Sequence, residues 1–502
     1  MSASLSSRNR TALFAVCLAS LMFGLEISSV PVILPTLERV LGGDFRQMQW
    51  VMNAYTIAST TVLLAAGALA DRFGRRRVFL ISGVLFGASS VMCGLAGGVG
   101  MLIFARALQG MSGGVLLISM LAILSHQFRE GRERGKAFAA WGVVFGFGLG
   151  FGPLIGGAIV ALSDWTWVFL VHGPIALLTL VLVITSVDES RDPQARRLDW
   201  GGMISLSLAV LGLAFYLTQG GEMGFTRPLS LVVLAATLIC LAAFVAIERR
   251  VEHPMFDFSV LRHRAFSGAL LGSMGMNFSF WPLMVYLPIY FHGVLGLGEL
   301  SSGIALLAYT LPALVFPPVG ERLSLRYRPG LVIPAGLFTI GLGLLWMHWA
   351  TGQEAPGLWS VLPGALVAGI GLGITNTPVT NTTTGSVSPD RAGMASGLDM
   401  SARLISLAIN IALMGLILLR GVQSGLRELS GSAAPNTDLR ALAERIAAGD
   451  VGGDPAGTLA LAHGFGWVTL YGGVSVCLLA VASLLVFGTA DARRSPRVAC
   501  AG

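Results

Sequence analysis

Charge is scarce in this chain. Asp, Glu, Lys and Arg make up only 12% of its 502 residues, against 54% hydrophobic residues. Ordinary soluble domains carry about 25% charged residues, so with a mean hydropathy of +0.76 a water-exposed globular fold is excluded. Cysteine is sparse as well. The five present (Cys17, Cys93, Cys240, Cys477 and Cys500) contain no CxxC pair, and four lie in apolar runs, which leaves no disulfide framework and no thiolate metal site. None of the 65 glycines falls in a phosphate-binding loop that follows a strand, so no cofactor is expected. The net charge of +7 does not mark a nucleic-acid binder either, because its densest cluster, Arg75 to Arg77, is a three-residue turn between two apolar runs.

Apolar length is what the sequence has in excess. A membrane-spanning helix needs about 20 mostly apolar residues. Such windows fall at 12–34, 48–69, 78–96, 101–124, 137–160, 166–187, 200–218, 229–247, 266–291, 302–320, 331–349, 358–385, 398–419 and 464–488, which predicts fourteen spans. With both termini on one side, 24 of the 33 Lys and Arg fall in the loops of that side and 7 in the opposite loops, while Arg106 and Arg403 lie within spans. The excess marks the cytoplasmic side. A multi-pass protein of the bacterial inner membrane is therefore expected, with both termini cytoplasmic and a first span retained in the mature chain.

The windows group into an all-α architecture of two six-helix bundles, 1–187 and 265–502, around a linker, 188–264, that carries two further spans. Segment 420–463 is an external loop. Within it Leu439, Leu442 and Ile446 recur at helical spacing after a possible N-cap at Thr437, which reads as a short helix on the outer membrane surface. Paired six-span halves suggest a transporter with its site between them. The expected partners are a small amphipathic substrate, protons and lipid, with no nucleic acid, and the chain is taken to act as a monomer.

One residue breaks the apolar pattern early. Glu26, in LEISSVPVILP (25–35), follows an uncharged run, and an ionised group at the centre of a span costs about 2.5 to 3.5 kcal/mol. At 1.5 Å per residue it lies about 13 Å below the outer end of its span, and Arg106 enters the fourth span to about 8 Å, depths that permit an opposite-charge pair wherever the two spans are neighbours. A carboxyl that is dry in one conformation and paired or hydrated in another would load and release a proton.

Several segments resemble a known family. GALADRFGRRRVF (67–79) is similar to the cytoplasmic loop signature of the major facilitator superfamily, LIFARALQGMSGG (102–114) to its fourth-span motif with an intramembrane Arg, and GFGLGFGPLIGG (146–157) to its fifth-span antiporter motif. QWVMNAYTIA (49–58) and LEISSVPVILP resemble the second and first spans of the fourteen-span drug:proton antiporters. The resemblance implies a major facilitator fold and multidrug efflux. It implies a conformational latch at Gly67, Asp71, Arg72, Gly74 and Arg75, an antiporter motif at Gly148, Gly152, Pro153 and Gly156, and proton coupling through Glu26 and Arg106. GMASGLDMSARLIS (393–406) resembles the start of the eleventh span and adds Asp399 as a second acid, four residues before Arg403.

Substrate contacts are expected from Asn53, Tyr55, Gln109, Asn277, Trp281, Tyr286, Tyr309 and Asn376, polar or aromatic groups on spans facing the cavity. The resulting expectation is a proton-coupled antiporter, not an enzyme, that exports amphipathic drugs. One alternative is a carrier of one specific metabolite, antibiotic or siderophore. A distant one is an intramembrane serine protease, with Ser112 of GMSG (110–113) as nucleophile and His172 or His348 as base.

Overall fold

The computed structural model describes residues 7–128, 131–191, 199–251, 258–353, 357–387, 392–430 and 436–488. Among them all regular structure is helical, as hydrocarbon demands, since a helix satisfies its own backbone polar groups. The helices are α1 (Ser7–Leu41), α2 (Phe45–Phe73), α3 (Arg75–Gly94), α4 (Val99–Gln127), α5 (Gly131–Leu162), α6 (Thr166–Leu170), α7 (His172–Ser186), α8 (Trp200–Met223), α9 (Pro228–Glu248), α10 (Arg264–Gly293), α11 (Glu299–Val315), α12 (Pro317–Tyr327), α13 (Pro329–Thr351), α14 (Leu358–Gly385), α15 (Ala392–Ser430), α16 (Asn436–Ala447) and α17 (Pro455–Phe487).

Every apolar window falls on helix, with 166–187 divided between α6 and α7 and 302–320 between α11 and α12, but the count of spans differs from the fourteen expected. By length and composition, eleven described helices can cross a membrane, or twelve if the bent α11–α12 pair is one span. The expectation adds α2, several of whose side chains lie outside the described residues, and α10. The reason is visible in α10, where Asn277, Tyr286, Pro282 and Pro288 are all buried in protein. A helix surrounded by other helices does not have to be lipid-soluble on any face.

Local chemistry sets the breaks. Asp44 opens α2 with a capping box: its carboxylate accepts from the Gln47 amide at 2.7 Å and the Gln47 side chain accepts from the Asp44 amide at 3.0 Å, satisfying two orphan donors. Gly74, at φ +106°, turns the chain from α2 into α3 in a conformation that favours glycine. Pro317 opens α12, and the axis bends by 42° there, because proline has no amide hydrogen to continue the helical ladder.

Helix α5 is one of the elements through which the first and second groups of helices meet, with α1 against α10 and α2 against α15 as others. On one side Gly148 faces α1 so closely that an added Cβ would lie 2.9 Å from the Leu21 carbonyl oxygen, and Gly152 and Gly156 pack on Ser28 and Ser29 in the same way. On the other side Gly157 and Pro153 meet Glu299 and Gly303 of α11, and Thr310 of α11 donates to the Gly150 carbonyl at 2.6 Å. Small residues in this pattern let backbones approach where side chains would hold them apart. Of the residues expected to form an antiporter motif, Gly148, Gly152 and Gly156 thus pack on α1 and Pro153 on α11.

The end that the charge count assigns to the exterior is drawn together by further bonds. Glu299 accepts from Thr36 at 2.8 Å and pairs with Arg39 at 3.4 Å, and Arg46 pairs with Glu444 of α16 at 3.2 Å. Gln49 of α2 donates to the Tyr286 hydroxyl at 3.0 Å and to the Ile411 carbonyl at 3.3 Å. Helices α8 and α9 pack on each other, and Leu206, Val210 and Ala214 of α8 share an apolar cluster with Ile57 of α2 and Ala408 of α15. The expected loop at 420–463 is mostly helix instead: α15 continues to Ser430, since Val422 and Leu426 are buried, and α17 begins at Pro455. Helix α16 starts at Asn436, one residue before the expected cap. It buries Leu439 and Ile446 and exposes Leu442.

Substituting Gly148 with Val is expected to destabilise the protein by about 1 to 3 kcal/mol through overpacking, read as a lower unfolding temperature in detergent. Gly142→Ala, at a position where an added Cβ meets nothing within 4 Å, is expected to show no loss.

Candidate functional site

The expected pair forms. Glu26 of α1 and Arg106 of α4 are both at 0% exposure, and Arg106 Nη1 donates to Glu26 Oε1. The same Nη1 donates to Gln109 Oε1 at 2.7 Å, and Arg106 Nε donates to the Val51 carbonyl of α2 at 3.1 Å. Gln109 in turn donates to Ser90 of α3 at 2.8 Å, and the guanidinium lies 4.3 Å over the Tyr55 ring. A buried ion pair survives only when its remaining donors and acceptors are satisfied, and here neighbouring helices supply most of that. Glu26 Oε2 and Arg106 Nη2 have no hydrogen-bond partner. Glu26 Oε2 faces Nδ1 of His172, at the start of α7, at 3.5 Å.

The sequence reading considered His172 only as a protease base, and its place beside Glu26 was missed. The available signal was a lone ionisable residue in an apolar window, which marks a functional candidate but names no partner. Ser112 does not face it. The Ser112 hydroxyl lies within hydrogen-bond distance of the Leu108 and Gln109 carbonyls of its own helix, and His348 faces the Gly466 carbonyl, so the protease constellation does not assemble.

Asp399 sits in a separate cluster of α10, α14 and α15. It is buried, accepts from Ser273 and pairs with Arg403 at 3.0 Å. Arg403 also donates to Asn376 at 2.6 Å and Thr380 at 3.1 Å. Among the expected substrate contacts, Asn376 therefore holds an arginine, and Asn277 donates to the Ser273 carbonyl at 2.8 Å. Tyr286 and Tyr309 are wholly buried packing groups: Tyr286 donates to the Ile411 carbonyl, and Tyr309 stacks on Phe280 at 3.8 Å and donates to its carbonyl. Tyr55 and Gln109 belong to the ion-pair cluster. Trp281 is half-buried, and Asn53 is fully buried with neither amide atom bonded.

At the loop signature the side chains of Gly67 and Asp71 lie outside the described residues. Arg72 is exposed, 5.6 Å over the Phe73 ring. The rest of the turn is bound to the segment after α7. The Glu189 carboxylate accepts from the backbone amides of Arg76 and Arg77, each at 3.1 Å, and the Arg75 amide donates to the Ser190 carbonyl at 3.0 Å. A carboxylate at the first turn of α3 complements the helix dipole. It also fills the space beside Gly74, where an added Cβ would meet Glu189 at 2.5 Å.

The Major Facilitator Superfamily sequence profile matches residues 16–410. The chain belongs to the major facilitator superfamily. Its relatives in that superfamily include the puromycin resistance protein pur8 of Streptomyces alboniger, 32% identical over 85% of both chains. Multidrug resistance protein Stp of Mycobacterium tuberculosis is 30% identical, over 85% of this chain and 80% of its own. The tetracenomycin C resistance and export protein of Streptomyces glaucescens is 29% identical, over 90% of this chain and 84% of its own. Among solved structures, a bacterial homologue of the human lysosomal transporter Spinster, inward-facing and unoccupied, superposes with a TM-score of 0.67 at 17% identity, over 98% of this chain and 100% of that one. The major facilitator fold and a multi-pass membrane protein follow directly.

Arg106→Gln removes the partner of a buried carboxylate, a change that costs about 3 to 5 kcal/mol in comparable sites. The unfolding temperature is expected to fall accordingly. The Glu26→Gln, Arg106→Gln double variant is expected to lose less than the two single losses combined.

Proposed function

We propose that this protein exports amphipathic compounds across the bacterial inner membrane in exchange for protons, with Glu26 as the principal proton carrier. The observation that carries this reading is a carboxylate buried in the bundle and bonded to Arg106 on another helix. Protonating Glu26 removes the charge that holds Arg106; losing the proton restores it. Proton occupancy is thereby tied to the contact between α1 and α4.

A mechanical link follows from the packing. Glu26 rides on α1, α1 lies backbone to backbone on Gly148 of α5, and the other side of α5 bears on α11. A change at the acid therefore bears on the interface at which the two groups of helices meet. This gives both ligands, proton and substrate, a common element to bias, as coupling requires. Asp399, tied to Ser273, Arg403 and Asn376, is assigned a secondary part in the second bundle.

The relatives named for drug and antibiotic resistance support export of foreign or toxic amphipathic molecules. A membrane potential of 100 mV supplies about 2.3 kcal/mol per proton charge, which sustains roughly 50-fold accumulation of a neutral substrate at one-for-one exchange. A second reading, export of a single antibiotic, is favoured by the relatives named for puromycin and for tetracenomycin C. A transport screen over dyes, biocides and antibiotics separates the two by the breadth of compounds moved.

Purified protein in liposomes with an imposed pH gradient is expected to accumulate substrate, and a protonophore is expected to abolish this. Glu26→Gln is expected to lose gradient-driven accumulation while still equilibrating substrate. Undiminished coupled uptake by Glu26→Gln overturns the carrier assignment.

A further inference from the structure

His172 is enclosed by acceptors. Its ring is 1% exposed. Nε2 lies 3.1 Å from the Met22 carbonyl oxygen, and Nδ1 lies 3.3 Å from the Phe169 carbonyl oxygen and 3.5 Å from Glu26 Oε2. The ring of Phe86 closes one side, edge-on at 5.9 Å. A neutral imidazole has one N–H and one lone pair. Whichever nitrogen carries the hydrogen, the other would turn its lone pair on oxygen lone pairs in a site without water-exposed surface.

Two protonation states relieve this. Either the ring is an imidazolium that donates from both nitrogens, or Glu26 is a carboxylic acid that donates from Oε2 to Nδ1. In both, the ring and the carboxylate together hold one proton more than the neutral ring with a charged acid, across a Nδ1–Oε2 contact of 3.5 Å. Arg106, donating to Oε1 of the same carboxylate, favours the anionic acid and so places the proton on the ring. The other polar or titratable groups facing the pair are Tyr55 from α2, Cys93 from α3, and Gln109 beside Arg106 from α4. The α5 stretch against α1 and all of α6 contribute no ionisable side chain.

We propose that His172 is a proton-binding site and that the exchanged proton is held by the Glu26–His172 pair, resting on the ring in this conformation. The inference depends on the proton-coupled reading above and deepens it: the carrier is Glu26 together with His172, and in this conformation, with Arg106 on Oε1, the proton rests on the ring side of that pair. The proton bound is one per pair. It leaves to water that reaches the gap between Nδ1 and Oε2 from one side of the membrane and is replaced from water that reaches the gap from the other side, and the dry gap seals it in between.

The test uses the full chain in three arms. In liposomes under a one-unit pH gradient, one-for-one exchange of a neutral substrate gives at most about tenfold accumulation. His172→Gln is expected to reduce this to no accumulation, while substrate counterflow without a gradient persists and shows that the protein is folded. In detergent, a pH indicator is expected to record substrate-induced proton release from wild type and none from His172→Gln. Should His172→Gln fail to fold, nitrogen-15 NMR of histidine-labelled wild type is the deciding arm. The ring that gives way to its neutral form when substrate is added is expected to be identified as His172 by labelling at that position.

Wild-type accumulation and proton release in His172→Gln, with both lost in Glu26→Gln, overturn this inference and leave the carrier role of Glu26 standing. A His172 ring that stays in one protonation state with and without substrate overturns it as well. Undiminished coupling in Glu26→Gln removes the parent reading itself.

Discussion

A charge pair sealed in a bundle of apolar helices sets the terms for everything around it. Glu26 and Arg106 are fully buried, and each lone charge at such depth would cost kilocalories. The helices around them are accordingly committed to polar service: α2 gives a backbone carbonyl, α3 gives Ser90, α4 gives Gln109, and the start of α7 brings His172 to the second carboxylate oxygen. Each of these bonds fixes a helix rotation and depth as well as an interaction energy. The pair therefore specifies the register of the first group of helices, in the way that buried polar groups specify register in simpler bundles.

The second group of helices solves a similar problem differently. Asp399 and Arg403 stand one turn apart on α15, and the partners of Arg403, Asn376 and Thr380, come from α14. A pair within one helix survives any rigid movement of that helix. A pair across two helices is sensitive to their spacing. The asymmetry between the halves makes Glu26–Arg106 the responsive pair and Asp399–Arg403 the fixed one.

Much of this was legible in the residues. The apolar windows locate the helices, because span length is dictated by bilayer thickness. The fixed helical rise gave the depths of Glu26 and Arg106, and the resemblance to the major facilitator superfamily, whose first and fourth spans line one cavity, brought the two together. Side-chain direction was not legible. Tyr286 and Tyr309 read as cavity groups by depth, but their hydroxyls turn to backbone carbonyls in the packing. His172 carried no spacing that linked it to Glu26, and Glu189 sat in a loop whose approach to Gly74 depends on tertiary packing. The outer continuation of α15 was hidden because its surface is polar on one side and buried on the other, which weakens a window-based reading.

The glycine-rich surfaces of α5 carry one more consequence. Side chains that interlock, ridge into groove, must climb over one another before two helices can shift. Along Gly148, Gly152 and Gly156 toward α1, and along Gly157 toward α11, no bulky ridge crosses the seam; what crosses is small, with Ser28 and Ser29 seated in the glycine notches. Ser28 donates to the Gly148 carbonyl at 3.0 Å and Thr310 to the Gly150 carbonyl at 2.6 Å. Such a seam is watertight in cross-section, and what pins it lengthwise is a pair of hydroxyls acting as detents, which hold one register until their bonds are exchanged.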